Sequence, residues 1–274
     1  MLKFVAGRNL NAALTVNNNL LNRGIQPIIN YISENTDSNK KQNIYNEYIN
    51  IISNINSKSI IALKFSSLNF DENYIENLCI FAKSKQIKLI IDAEDDNNIN
   101  NYREIVNNLI TKYNKDNINV IKTYQMYRLD SLNELNDDLT FFNNRNIHIS
   151  PKIVRGAYWN SEYKKGHLFV NKNDSDNNYN NAILKCYQKN NIYNILATHN
   201  TKSLKIGLEL NKKKSIFQFA NLMGMNDKYM DNLANNEKDF TTARYVPYGY
   251  YNEMIPYLTR RLYENMDSVK YILK

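Results

Sequence analysis

Short runs of β-branched and aromatic residues alternate with longer polar-faced runs along the whole chain, the pattern of βα units built around a parallel sheet. The runs that predict strands are 25–32 (IQPIINYI), 59–67 (SIIALKFSS), 87–94 (IKLIIDAE), 119–127 (NVIKTYQMY), 151–158 (PKIVRGAY), 193–200 (YNILATHN), 215–224 (SIFQFANLMG) and 243–249 (ARYVPYG). Eight such runs are what a (βα)8 TIM-type barrel requires. Between them, 71–85 and 131–145 carry apolar residues at helical spacing behind an Asp or a Ser able to cap them. The polar excursion 172–178 (KNDSDNN) reads as a loop insertion ahead of a helix over 179–190, a place where barrels accept extra residues. An open doubly wound sheet is the alternative, but it prefers a Gly-rich turn after its first strand, and none is present. No linker divides the chain, so residues 1–274 are expected to form a single barrel domain.

Composition narrows this picture only a little. The 274 residues are 43% hydrophobic, with 7 Gly and 4 Pro, which excludes collagen-like and Pro/Gly-rich disordered chains. Lys and Arg (35) exceed Asp and Glu (27), giving a formal charge of +8. The basic residues are dispersed, and the longest run is Lys212 to Lys214. Nucleic-acid binding, which calls for a basic stripe with interleaved aromatics, is therefore disfavoured. A basic balance is compatible with peripheral contact at a membrane. Cys79 and Cys186 fall in predicted helices without a Cys-x-x-Cys spacing, and the opening MLKFVAGRNLNAAL has neither a signal-peptide nor a transit-peptide pattern. Together these predict a reducing compartment and cytoplasmic residence. The three histidines have no metal-ligand spacing, and no metal is expected.

Candidate chemistry lies where the strand runs end. Lys64, Asp92 with Glu94, Gln125, Lys152, Arg155, Thr198-His199-Asn200, Asn221 and Tyr245 are polar groups in otherwise apolar segments. A buried Lys or Asp costs several kcal/mol unless it is paired. Lys64 and Asp92 are thus either a structural ion pair or part of a site, and so many polar strand ends in one chain point to a site. In PYLTRRLYEN (256–265), Pro256 suits the first turn of a helix. Tyr257, Arg260 or Arg261, and Glu264 then share one face. That Arg pair is either a solvated surface feature or a fork able to grip a carboxylate in bidentate fashion.

IALKFSSL, IDAED, TYQMY, KIVRGAYW, ATHN, FANLMGM and YVPYG followed by PYLTRRLYEN resemble, in order and spacing, the proline dehydrogenase family of FAD-dependent (βα) barrels. The resemblance spans nearly the whole chain and implies oxidation of L-proline to 1-pyrroline-5-carboxylate, by hydride transfer to flavin N5, with the electrons passing to a quinone. It places Arg260, Arg261 and Lys64 on the substrate carboxylate. Tyr257 and Tyr245 fall against the proline ring, with Asp92 and Glu264 steadying these groups. For FAD it implies Gln125, Lys152, Val154, Arg155, Gly156, Ala157, Trp159, Thr198, His199 and Asn200, with Lys152 near flavin N5 and Gly156 allowing close backbone approach. Asn221 stands where the family usually has Gln, so the amide there reaches about one methylene less, which raises the alternative of a degraded binding barrel without turnover. Tyr245 crowds the far side of the ring, whereas relatives that take 4-hydroxyproline resemble this family with a smaller residue there, so proline is expected over hydroxyproline. The chain also lacks the aldehyde dehydrogenase module of bifunctional relatives, so its product is expected to go to a separate enzyme.

Overall fold

A computed structural model describes residues 3–33, 40–189, 193–237 and 241–264, the side chains of 260–264 excepted. Eight strands close into a barrel in sequence order: β1 (Gln26–Tyr31), β2 (Ile60–Leu63), β3 (Lys88–Ile91), β4 (Val120–Gln125), β5 (Pro151–Val154), β6 (Asn194–Ala197), β7 (Phe217–Leu222) and β8 (Thr242–Tyr248). The first seven fall inside their predicted runs, and β8 begins one residue before its run. The helices are α1 (Leu10–Leu21), α2 (Lys41–Asn54), α3 (Glu72–Ser84), α4 (Ile99–Tyr113), α5 (Ser131–Asn143), α6 (Trp159–Glu162), α7 (Lys172–Gln188), α8 (Thr201–Asn211), α9 (Asp227–Asn236) and α10 (Tyr251–Glu264). Among the described residues no helix is long and apolar enough to cross a membrane.

The chain groups into two compact units, Met1–Asp92 with Asn221–Lys274, and Ala93–Ala220. In the first, β1 pairs in parallel with β2 and β8, so that Ile28 lies opposite both Ile60 and Tyr245. These strands are buried on both faces, which is why their sequences read as unbroken apolar runs instead of alternating ones. Asp71 caps α3, its Oδ1 accepting from the backbone N–H of Tyr74 at 3.2 Å. In the second unit, β4, β5, β6 and β7 pair in parallel, and α8 packs closely on that sheet. A Cβ at Gly207 would meet Leu196 Cδ1 at 2.6 Å and Phe219 Cε1 at 2.8 Å, so a larger residue would lift the helix away.

Ion pairing inside this second unit is denser than the sequence suggests. Lys122 of β4 has no exposed surface, and its Nζ lies 2.6 Å from Asp138 and 2.8 Å from Glu134. Asn107 Oδ1 accepts a third Nζ–H at 3.0 Å, and the Tyr124 hydroxyl donates to Asp138 at 2.8 Å.

Three local expectations are corrected. Residues 172–178 form the first turns of α7, because Asn171 caps the helix and Ser175, Asn178 and Tyr179 are buried on one side of it. Asn178 Nδ2 donates to Met126 O at 2.9 Å and to Ser131 Oγ at 3.1 Å, so polar residues fill an inward face. Ser131 is the first residue of α5 and does not cap it; its hydroxyl donates to Arg128 O at 2.8 Å. Pro256 sits inside α10, five residues after its start at Tyr251. A proline there removes the backbone bond to the carbonyl four residues earlier, which a first-turn proline would not.

Candidate active site

Apart from β8, the strands are shorter than the apolar runs that encode them, because those runs end on residues that leave the ladder at the carboxyl edge. Lys64 follows β2 directly and is half-buried, its carbonyl accepting from Ser67 Oγ at 2.6 Å. Asp92 follows β3 and is buried. Its backbone N–H donates to Leu63 O at 2.9 Å, and its Oδ2 accepts from the hydroxyl of Tyr245, in β8, at 2.6 Å. A short O–H···O⁻ bond between two buried groups is among the stronger neutral-to-charged contacts a protein makes. It joins residues 153 positions apart in sequence, and both were expected at the site.

Tyr257, in α10, is buried in an apolar cluster with Val5, Ile32 and Met254, with Leu258 packed against it. The side chains of Arg260, Arg261 and Glu264 lie outside the described residues, although their backbone continues α10. Asn221 is held inside its own neighbourhood. Its Nδ2 donates to Met225 O at 2.8 Å and Asp227 Oδ1 at 2.7 Å, and its Oδ1 accepts from Arg244 Nε at 3.5 Å. Arg244, which the sequence reading passed over, is buried and pairs with Asp231 at 2.8 Å. The shorter amide thus fits a local network.

In the second unit the expected cofactor residues come together at the ends of β4, β5 and β6. Gln125 bridges two segments: its Nε2 donates to Glu94 O at 3.0 Å, and its Oε1 accepts from the Ala157 N–H at 3.3 Å. Lys152 is buried within β5, between Thr123 and Ile195 in register. Val154 O closes the end of the ladder by accepting from Met126 N–H at 2.8 Å. The Arg155 guanidinium donates to Asp176 Oδ1 at 2.6 Å, to Ser203 Oγ at 3.1 Å and to Thr198 Oγ1, and lies 4.4 Å above the Tyr179 ring. Trp159 stacks on Tyr163 with ring centroids 6.3 Å apart.

Gly156 has φ +143°, and a Cβ there would meet the Tyr127 ring at 2.4 Å. Glycine is thus required by the packed tyrosine as well as by the backbone angle. Asn200 caps α8, its Oδ1 accepting from the N–H groups of Lys202 at 2.9 Å and Ser203 at 3.2 Å, while its Nδ2 donates to Asp176 at 3.4 Å. Asp176 was missed because it lies in the excursion read as a loop. It gathers Arg155, Lys172 and Asn200. Burial raises its carboxyl, but the bonds from Lys172 and Arg155 outweigh that and hold it below the usual carboxylate range.

Burial, and after it the charge of Arg155, pushes the His199 imidazole down to about 4 from 6.5. It is neutral at neutral pH. Between these two values the unfolded chain binds a proton that the folded protein refuses, so the contribution of His199 to stability is full above about 6.5 and is lost as pH falls toward about 4. The melting temperature is expected to drop across that window. His199→Phe should flatten part of the drop, and an unchanged slope would show that other groups cause it.

The comparisons with known proteins agree with this fold. A family model for proline dehydrogenase matches residues 13–272. The probable mitochondrial proline dehydrogenase of Schizosaccharomyces pombe is 29% identical over 250 residues, covering 80% of this chain and 51% of that protein. Proline dehydrogenase 2, mitochondrial, of Arabidopsis thaliana is 32% identical over 210 residues, covering 70% of this chain and 44% of that protein. The chain thus spans about half the length of these curated relatives or less. In the crystal structure of proline utilization A from Bdellovibrio bacteriovorus, one region superposes with a TM-score of 0.87 at 19% identity, over 96% of this chain and 32% of that one; this supports the barrel.

These relatives overturn the expectation of cytoplasmic residence, since both are named as mitochondrial. Two buried unpaired thiols are compatible with any reducing compartment, so they never distinguished one from another. With eight parallel strands closed in order, polar groups gathered at the strand ends, and a family match running through both, the chain belongs to the proline dehydrogenase family.

Proposed function

We propose that this chain oxidises L-proline to 1-pyrroline-5-carboxylate using FAD, and that the electrons go on to a quinone. The observation that carries the reading is the buried Tyr245–Asp92 bond at 2.6 Å, within a chain whose residues 13–272 match the family. Proline loses a hydride from the ring carbon beside nitrogen and a proton from nitrogen, leaving a C=N bond. FAD, when bound, supplies the two-electron acceptor.

The residues of this chain bind and orient. Arg260, Arg261 and Lys64 would hold the substrate carboxylate, a task for which two planar forks and a cation are suited. Holding one end fixes the distance of the ring from the acceptor, and such positioning is a main source of rate. Tyr257 and Tyr245 would flank the ring. Tyr245 is tethered through its hydroxyl to Asp92, so it resists swinging aside for a 4-hydroxyl, which favours proline over hydroxyproline.

The donor set of the second unit suits the cofactor. An FAD diphosphate asks for cations and N–H donors. The Arg155 guanidinium and the amino end of α8 supply that chemistry, while buried Lys152 is the cation for the ring. Lys152 would favour negative charge on the reduced ring, an electrostatic aid to hydride acceptance. Val154, Gly156, Ala157, Trp159, Thr198, His199 and Asn200 would complete the cradle, with Gln125 tying Ala157 to the segment after β3.

The test is spectroscopic. Purified protein supplemented with FAD is expected to retain a flavin spectrum that L-proline bleaches anaerobically and a quinone restores. Protein that FAD cannot reconstitute overturns the reading. Protein that holds FAD but does not bleach is a binding barrel without turnover, and faster bleaching by 4-hydroxyproline would reassign the substrate.

A further inference from the structure

The segment Arg155–Trp159, which carries four of the residues expected at the flavin, is held by loops on either side of it. The anchor is Glu162, in α6, only 1% exposed. Its Oε1 accepts from the backbone N–H of Asp96, after β3, at 2.6 Å. Its Oε2 accepts from the hydroxyl of Tyr127, after β4, at 2.9 Å, and lies 3.8 Å from Arg128 Nη1.

Tyr127 passes this anchoring on. Its backbone N–H donates to Arg155 O at 2.7 Å, its hydroxyl accepts from the Tyr158 N–H at 3.3 Å, and its ring fills the space beside Gly156. Tyr158 in turn donates its hydroxyl to Ala93 O at 3.3 Å. Asp96 is fixed independently by Arg128 at 3.0 Å, His167 at 2.8 Å and Lys165 at 3.3 Å. A carboxylate this deeply buried is costly to keep, and burial pushes the Glu162 carboxyl upward against the bonds from Tyr127 and the Asp96 N–H. Its removal leaves two donors on two different loops without their acceptor, so the expense falls on loop geometry.

We infer that Glu162 is a positioning residue that clasps the segments after β3 and β4 to Arg155–Trp159 and so sets where the cofactor-binding groups of that segment stand. The kinetic consequence rests on the proposed function; the structural consequence does not.

Trp159, the one tryptophan of the chain, reports the segment directly. It stacks on Tyr163 and lies 6.5 Å from the Tyr127 ring. In the full chain without FAD or proline, Glu162→Ala is expected to shift Trp159 emission and raise its quenching by acrylamide, with far-ultraviolet circular dichroism unchanged. Glu162→Gln, whose carbonyl still accepts from Tyr127, should stay closer to wild type. Tyr127→Phe, which keeps the ring beside Gly156 but loses the hydroxyl, should reproduce part of the shift. If Glu162→Ala does not fold, those two milder variants decide the question.

In the FAD-loaded protein, kcat is expected to fall roughly tenfold to a hundredfold in Glu162→Ala, the scale of a misplacement near one ångström, with KM for proline changing less. Wild-type Trp159 emission and quenching in Glu162→Ala would overturn the inference. Failure of the wild-type protein to oxidise proline would overturn the proposed function alone, because the fluorescence comparison still decides whether the clasp exists.

Discussion

Lys122→Ala is expected to lower the unfolding free energy by about 3 kcal/mol, and the melting temperature by about 6–12 °C. Lys122 is fully buried and answers two carboxylates, Asp138 at 2.6 Å and Glu134 at 2.8 Å. Its loss leaves those carboxylates facing a space without a cation, and breaking one side of a buried pair typically costs about 3–5 kcal/mol. The low end applies because Glu134 and Asp138 keep 17% and 13% of their side-chain surface in water, and because Arg103 still pairs with Glu134 at 2.7 Å. Lys122→Met should lose less, since it fills the volume. Lys122→Met combined with Glu134→Gln and Asp138→Asn should recover most of the loss, because it removes all three charges together. Denaturant unfolding measures each; a Lys122→Ala protein as stable as wild type would show that the carboxylates find another cation.

Asp92→Ala is expected to reduce kcat/KM for proline by roughly ten- to a hundredfold while leaving flavin content unchanged. The Tyr245 hydroxyl then loses its acceptor in a buried place, a penalty of about 1–3 kcal/mol, and each 1.36 kcal/mol of transition-state stabilisation is about tenfold in rate. Asp92→Asn retains a carbonyl oxygen that accepts from Tyr245 and should keep the larger part of the activity. Steady-state kinetics over a proline series separates the outcomes. A change confined to flavin binding would place Asp92 in the cofactor's surroundings instead of the substrate's.

Much of the barrel was legible because its strands are buried on both faces and so leave apolar runs that end abruptly on polar residues. Lys64, Asp92, Arg155 and Thr198 all mark such ends, and each stands just past or at the last rung of its strand. The same logic failed for 172–178, where helical packing is carried by Ser175 and Asn178 and no apolar stripe appears. Pairings were harder still. Nothing local tells that Tyr245 meets Asp92, 153 residues away; barrel closure brings them together.

The family likeness singled out Gly156 and Asn200 for a cofactor, and the structure gives each a role of its own, the Tyr127 ring against one and the α8 cap on the other. Glu162 went unnoticed, and Tyr127 went unassigned within TYQMY, because each works through a neighbour and its role shows only in the contacts it makes. Arg244 was hidden for a different reason. Its partners Asp227 and Asp231 sit on a helix earlier in the chain, so its burial could not be read from its own strand.

Cys79 and Cys186 lie in α3 and α7, one in each compact unit, and both are buried and unpaired. Burial pushes the Cys79 thiol up to about 12, and it raises that of Cys186 as well. Neither sulfur therefore meets an alkylating reagent while its helix stays docked. The pair is a built-in clock: the rate at which each is labelled times the opening of its own half of the chain, without a probe being introduced.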